Sequence, residues 1–418
     1  MTKFNMTDMA IKAKQAGRIV AQLSATDKNA LLNAIATSIE ENSDEILIEN
    51  SKDIAAGREK SLGDAMLDRL LLTTQRIKDI SNAIREIIQL SDPIGSVNKL
   101  DLRPNGLQVG KMRIPLGVIS MIFEARPNVT AEAAALCIKS GNAVILRGGS
   151  EAIHSNLALA KCIHSVLESQ GIDPNIVSVI PDTSREVIKE LLQQKEYIDL
   201  VIPRGGEGLI RYVTENSQIP VIQHYKGVCH LYIDKFADLD KATAILVNSK
   251  TQKPSACNAT ETLLVHKDIM GRFLPLAAKA LAKAAQVKIH ACEDSKQYFD
   301  NALLASTEDY HAEYLAQEIA VKSVNSFDDA ITHINTYTSD HTEVIITQDI
   351  SRSQRFIRQI NSSVVMINAS SRFSDGQQLG LGSEIGISTS KLHAYGPMGL
   401  EALTTEKFVV FGDGQIRD

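Results

Sequence analysis

The sequence predicts an α/β protein with two doubly wound parallel-sheet domains and a small β arm. Three observations carry that prediction. From Gly117 onward, short apolar runs alternate with helical stretches. A second alternating block runs from Ala237 to about Val365. Between helical regions, residues 92–115 break the texture with Pro, Gly and Asn-Gly turn signals. At 418 residues the chain is too long for one ordinary core, so two or three domains are expected.

Residues 4–90 read as successive amphipathic helices. Ile19, Val20 and Leu23 recur at helical spacing, as do Leu31, Leu32, Ile35 and Ile39, then Ile77, Ile80, Ile84, Ile87 and Ile88. Ser24, Thr26 and Asp27 are cap candidates for the second helix. The opposite faces are charged, which reads as a solvated outer layer. Residues 92–115 read as an extended arm or hairpin turning at Asn105-Gly106, and such an excursion is often an assembly element.

GVISMIF (117–123) is an apolar strand, followed by a helix that ends at Gly141. NAVILR (142–147) is the next strand, and its helix is closed by Gly171. Strands at 176–180 and 198–203, with helices from Ser184 and Gly206, continue the alternation. Parallel sheets of this kind bind ligands at the carboxyl ends of their strands. In the second block, strands lie near Leu263, Val321, Val344 and Val364, with a helix at 327–337. Residues 366–418 begin glycine-rich and end in KFVVFGDG, a second candidate edge strand.

Composition narrows the function classes. A net charge of -6 argues against a nucleic-acid partner while leaving room for a local basic pocket. Five cysteines without CxxC spacing signal neither a disulfide framework nor a zinc site, which fits a reducing cytoplasm. The histidines show no HxxH or HExxH arrangement, so no metal site is expected. The first twenty residues lack a signal-peptide core, and no apolar run has the length needed to cross a bilayer.

Several stretches could carry chemistry. Cys257 sits in KTQKPSACNATETLLV, among small polar residues just before an apolar run. Free cysteines are mostly inert core residues. A nucleophilic thiol needs room for substrate and nearby N–H groups, and Ser255, Ala256, Asn258 and Ala259 leave that room. RGGSEA (147–152) and PRGGEG (203–208) each follow a strand and open a helix. Such turns are anion sites or ordinary β–α turns. Two in one sheet suggest a dinucleotide, with adenosine at one and pyrophosphate at the other. The GxGxxG fingerprint is absent, since LGLGSEIG (379–386) has the wrong spacing. In EARPN (124–128), Asn128 is either an oxyanion donor or the N-cap of the following helix. Arg126 holds a substrate anion or a surface salt bridge. NASSRFSDG (368–376) is a binding loop around Arg372 or a surface loop.

Taken together, PLGVI, EARPN, SGNAVILRGGSEA, VIPRGG, GVCHLYID, CNATETLLVH, HINTYTSDHTE, NASSRFSDG, GLGSEIGIS and GPMGLEALTTEKF occur in an order that resembles the gamma-glutamyl phosphate reductases, also called glutamate-5-semialdehyde dehydrogenases. They are a branch of the aldehyde dehydrogenase superfamily, and the match runs from about Lys3 to Phe411. The resemblance implies an aldehyde dehydrogenase-like fold. It assigns residues 1–98, 120–235 and 366–390 to a cofactor-binding domain, 236–365 to a catalytic domain, and 99–119 with 391–418 to an oligomerisation arm. It implies NADPH-dependent reduction of L-glutamyl 5-phosphate to glutamate 5-semialdehyde and phosphate, in proline biosynthesis.

In that resemblance Cys257 matches the nucleophile and Asn128 the oxyanion donor. Arg147, Ser150 and Glu151, around Gly148 and Gly149, match the segment at the adenosine ribose. Pro203, Arg204, Gly205 and Gly206 match the segment near the pyrophosphate. The carboxylate for the nicotinamide ribose is Glu313 or Glu318. Arg126, Arg372 and His393 are candidates to receive phosphate. Hydrolytic relatives carry a water-activating Glu where this chain reads HYKGVCH (224–230), without a carboxylate. A thioester meant for reduction or phosphorolysis is better left without that base. The resemblance also implies a homo-oligomer, and the lability of an acyl phosphate points to glutamate 5-kinase as a partner that hands it over. The rival readings are a hydrolytic aldehyde dehydrogenase and a non-catalytic binding protein of the same fold.

Overall fold

The computed structural model describes residues 4–417. They form two compact units. Unit 1 holds residues 4–223, 381–386 and 398–417, and unit 2 holds 224–380 and 387–397. The expected boundary at 235/236 moves to 223/224 because strand Cys229–Ile233 pairs in parallel with Thr260–His266 and Thr342–Ile346.

Unit 1 opens with five helices: Met6–Val20, Ala25–Glu41, Ser43–Glu59, Asp64–Leu70 and Thr74–Gln89. The second starts on a capping box. Ser24 Oγ accepts the Asp27 N–H at 3.1 Å, and the Asp27 carboxylate accepts the Ser24 N–H at 3.3 Å. Leu31, Leu32, Ile35, Ile39, Ile77, Ile80, Ile84 and Ile87 are buried, as their spacing predicts. Burial of each such side chain stabilises by roughly 1.5–3 kcal/mol. Ile19 departs from the pattern: it is 45% exposed, while Val20 beside it is buried. The layer is also more than a solvated shell. Lys139, buried from the next helix, donates to Asn29 Oδ1 at 2.6 Å and to the Ile88 carbonyl at 2.9 Å. A buried ammonium is tolerable only with such partners.

The sheet of unit 1 is parallel, in the order Val177–Val179, Ala143–Gly148, Val118–Phe123, Leu200–Arg204. The chain steps outward from Val118–Phe123 through two strands, then returns to add Leu200–Arg204 on the opposite flank. The direction of winding therefore reverses beside Val118–Phe123, which is a topological switch point. Register places Phe123 level with Gly148 on one side and Arg204 on the other. Met6, Ala10 and Ala13 of the first helix pack on one face, against Val118, Ile122, Ala143 and Ile145. Helix Asn128–Lys139 is buried on nearly every side.

The extended stretch is a hairpin. Val97–Leu102 pairs antiparallel with Gln108–Pro115, and Gly106 takes φ +86° at the turn. Thr404–Phe411 adds antiparallel to Gln108–Pro115, so the closing strand read from KFVVFGDG does lie at an edge. Leu102 and Phe408 on this sheet are 72% and 70% exposed.

Unit 2 is a parallel sheet of seven strands: Leu303–Leu304, Lys288–Ala291, Glu318–Val324, Thr260–His266, Cys229–Ile233, Thr342–Ile346 and Val364–Ile367, in that order. Apolar clusters cover both faces, which is why its central strands read as continuous apolar runs. Two buried polar pairs interrupt them. Lys250 Nζ meets Glu261 Oε2 at 2.5 Å, and His230 Nδ1 meets Glu343 Oε2 at 2.9 Å. Burial pushes the Glu261 carboxyl up to about 7, against the opposing pull of Lys250. Among the described residues, no helix is long and apolar enough to cross a membrane.

Candidate active site

In unit 1 the expected residues gather at the carboxyl ends of three adjacent strands. Glu124 follows Phe123, and its Oε2 accepts the Gly206 N–H at 3.0 Å. A Cβ at Gly205 would stand 2.5 Å from that same oxygen, so the turn closes on the carboxylate only with glycine there. Pro203 is buried at the end of its strand, and Arg204 faces Glu384 at 3.5 Å. Gly206 is the N-cap of helix Glu207–Asn216, which has no side-chain cap. No side-chain cap meets the first turn of that helix, the arrangement that receives phosphate.

The other Arg-Gly-Gly turn differs. A Cβ at Gly148 would overlap the Asn156 amide, and one at Gly149 would overlap the Glu151 carboxylate. Glu151 Oε1 accepts the Ala125 N–H at 2.6 Å, and Ala125 holds φ +37°. Arg147 is only 9% exposed, and its Nη2 donates to the Thr183 carbonyl at 2.8 Å. Its Nε is buried without a partner among the described residues. Ser150 is exposed and opens a short 3-10 turn, with the α-helix beginning at Ile153. The N–H groups of His154 and Ser155 donate to Asp53 at 3.2 and 2.8 Å. The open helix start expected after RGGSEA is thus engaged by a carboxylate from the third helix. Only the turn at 203–206 runs into an uncapped helix, and it does so at the switch point. These residues fit a dinucleotide there.

Asn128 is not an N-cap. The helix begins at Asn128 itself, after Pro127, and its side-chain Nδ2 donates to Glu132 Oε1 at 3.0 Å. Burial raises the Glu132 carboxyl, against the pull of Asn128, Arg204 and Arg126. Arg126 is exposed.

In unit 2, Cys257 is half-buried in a turn ahead of strand Thr260–His266. Its loop is pinned to residues 371–374. Asn258 Nδ2 donates to the Ser374 carbonyl at 2.8 Å, and Ser371 Oγ donates to the Asn258 carbonyl at 2.6 Å. Gly227 lies against the Cys257 backbone, where a Cβ would overlap the carbonyl oxygen. The Gly227 N–H donates to Glu313 Oε1 at 2.8 Å. So the stretch HYKGVCH carries no carboxylate of its own but receives one from a distant segment. Glu318 lies elsewhere, bonded to Lys288 at 2.6 Å and His290 at 2.5 Å. Arg372 is half-buried on the segment that pins the Cys257 loop, with Nε donating to Gln252 Oε1 at 2.7 Å. His393 is exposed on the 387–397 stretch of this unit.

Cys162 and Cys137 are buried, as packing thiols are, and burial raises both thiols. Cys229 is buried directly beneath the loop, its sulfur donating to the Cys257 carbonyl at 3.3 Å. Sequence reading missed the histidines beside Cys257. One ligand atom each from His224, Cys257 and His341 lies within 4.8 Å of the other two. They stand far apart in the chain, so no spacing rule could reveal them, although His341 falls inside a stretch that carries the family resemblance.

The chain matches the model of the aldehyde dehydrogenase family over residues 2–297. It is 78% identical over 417 residues to the gamma-glutamyl phosphate reductase of Colwellia psychrerythraea, covering 100% of both chains. It is 60% identical over 411 residues, 98% of each chain, to the enzyme of that name from Idiomarina loihiensis. Among solved structures, the gamma-glutamyl phosphate reductase of Thermotoga maritima is similar with a TM-score of 0.97 at 40% identity, covering 99% of this chain and 100% of that one.

Proposed function

The chain belongs to the gamma-glutamyl phosphate reductases of the aldehyde dehydrogenase family, and from that premise we propose how its residues carry out the reaction. The enzyme converts L-glutamyl 5-phosphate to glutamate 5-semialdehyde in proline biosynthesis. The observation that carries the reading is the setting of Cys257: half-exposed, in a polar turn, with its backbone seated on a glycine that cannot be larger.

The Cys257 thiolate attacks the carbonyl carbon of the acyl phosphate. Asn128 and a backbone N–H donate to the oxyanion, an effect of about 3 kcal/mol per donor at comparable sites. Phosphate departs without a strong acid, because it is already a good leaving group, and an acyl thioester remains on Cys257. A nicotinamide cofactor, when bound, supplies the hydride. The thiohemiacetal on Cys257 then collapses, releasing aldehyde and restoring the thiolate. The uncapped helix after PRGG, Pro203 to Gly206, holds the cofactor's pyrophosphate, and Arg147 to Glu151 lie toward its adenosine. Glu313, bonded beside Gly227, is better placed in its own unit than Glu318 to orient the nicotinamide ribose near Cys257. Arg372, on the segment that pins the Cys257 loop, is the favoured phosphate acceptor over Arg126 and His393. The preference for NADPH over NADH, direct hand-over from glutamate 5-kinase, and a cytoplasmic homo-oligomer joined through the exposed three-stranded sheet complete the proposal.

Cys257→Ser should lose at least about a thousandfold in reductase rate while binding NADPH with unchanged affinity. Near-normal turnover would end the assignment. Aldehyde oxidation should require phosphate or arsenate; equal rates without either anion would make water the acceptor and restore the hydrolytic reading.

A further inference from the structure

We propose that His224, Cys257 and His341 form a binding site for zinc, and that occupancy withdraws the nucleophile reversibly from reaction. The three ligand atoms already lie within 4.8 Å of one another, and the two imidazoles meet edge-on with centroids 5.0 Å apart. Cys257 and His224 are half-buried and His341 is fully buried, so the site has one accessible side and one fixed wall.

Hydrogen bonds fix which nitrogen of His341 carries the lone pair. Thr342 Oγ1 donates to Ser374 Oγ at 2.7 Å, leaving that hydroxyl to accept from His341 Nδ1 at 2.8 Å. The Cys229 S–H donates to the Cys257 carbonyl, so its sulfur also faces Nδ1, at 3.7 Å, as an acceptor. Both neighbours require the proton on Nδ1. The lone pair is then on Nε2, which is buried and has no hydrogen-bond partner among the described residues.

A buried imidazole lone pair clustered with a thiol and a second imidazole is a zinc ligand set, because ligation needs a neutral ring whose lone pair is not already engaged. Zinc takes thiolate at about 2.3 Å and imidazole at about 2.0–2.1 Å, so its ligand atoms stand roughly 3.3–3.6 Å apart. Small side-chain rotations at the two half-buried residues bring the trio to that spacing. Binding exchanges the thiol proton for the metal, and no electron moves. The fourth position is left to water.

The test uses the full-length chain, freed of metal and kept reduced with a phosphine, titrated with Co²⁺ in the absence of substrate. One Co²⁺ per chain should bind with a thiolate-to-cobalt charge-transfer band that Cys257→Ser abolishes and Cys292→Ser leaves intact. Added Zn²⁺ should bleach the band, slow iodoacetamide alkylation of Cys257, and inhibit turnover until a chelator is added. His341→Gln and, should that variant not fold, the half-buried His224→Gln should each weaken binding by about tenfold or more. Cobalt bound without a thiolate band, or with equal affinity in wild type and His224→Gln, overturns the site. The spectrum is read without turnover, so metal binding by an inactive chain, or activity without metal binding, separates this proposal from the reductase reading.

Discussion

In unit 1 the polar groups at the strand ends come from three short stretches, 124–128, 147–151 and 203–206, each continuing directly from a strand. In unit 2 the groups around Cys257 come from separate stretches: His224 and Gly227, Cys257 itself, Glu313, His341, and the 371–374 segment. A local turn tolerates change in its neighbours, because its geometry is set by its own glycines and by one carboxylate. An assembled cluster depends on several strands keeping register together. Substitution in the pinned loop of Cys257 should therefore cost chemistry, and substitution in the turn at 203–206 should cost cofactor affinity.

The largest separation between the two is expected at Gly227. A Cβ there overlaps the Cys257 carbonyl, so Gly227→Ala must shift the nucleophile's loop. A displacement of about 1 Å at a reacting group costs on the order of a hundredfold in rate. We expect that loss in kcat with cofactor affinity unchanged; a KM effect alone would erase the contrast. At Gly205 the added methyl meets Glu124 Oε2 at 2.5 Å and Leu209 Cδ2 at 2.8 Å. Gly205→Ala should weaken NADPH binding about tenfold by opening the turn, while the rate of Cys257 alkylation stays at its wild-type value. A slowed alkylation would show that the turn is not the independent element described.

The last effect concerns acid. Burial holds His341 at about 3 and His333 at about 2 in the folded chain, against about 6.5 in an unfolded one. Between those values the unfolded state binds more protons, so folding stability is full above about pH 6.5 and falls as pH drops. Each histidine contributes a slope of up to about 1.4 kcal/mol per pH unit. Hydrogen exchange in strand Thr260–His266 should accelerate accordingly from pH 6.5 to 5, and His333→Gln should flatten the dependence. An unchanged slope in that variant would assign the acid lability to other groups.

Much of this is legible in the sequence. Apolar runs and capping residues set the alternation in both units, and the Arg-Gly-Gly turns announced themselves because a strand, a glycine pair and a helix are contiguous in sequence. What escaped was long-range. The helix start at Ile153 looks open in sequence because its acceptor, Asp53, lies a hundred residues away in a stretch that reads as surface. Asn128 looks like a cap because nothing in EARPN says that the helix begins one residue earlier. Glu318 competes with Glu313 on paper because only the strand pairing of Glu318 with Lys288 sends it to a different edge.

Asp53 has a wider meaning. Its carboxylate also accepts from Ser155 Oγ at 2.6 Å, and Asn50 one turn earlier donates to that same hydroxyl at 2.9 Å. The amino-terminal helices are therefore wired into the parallel-sheet core of unit 1 and are not removable packaging. A shortened chain lacking them would leave the N–H groups of His154 and Ser155 without their carboxylate, and the damage would surface first in the turn beside them, far from the deleted residues.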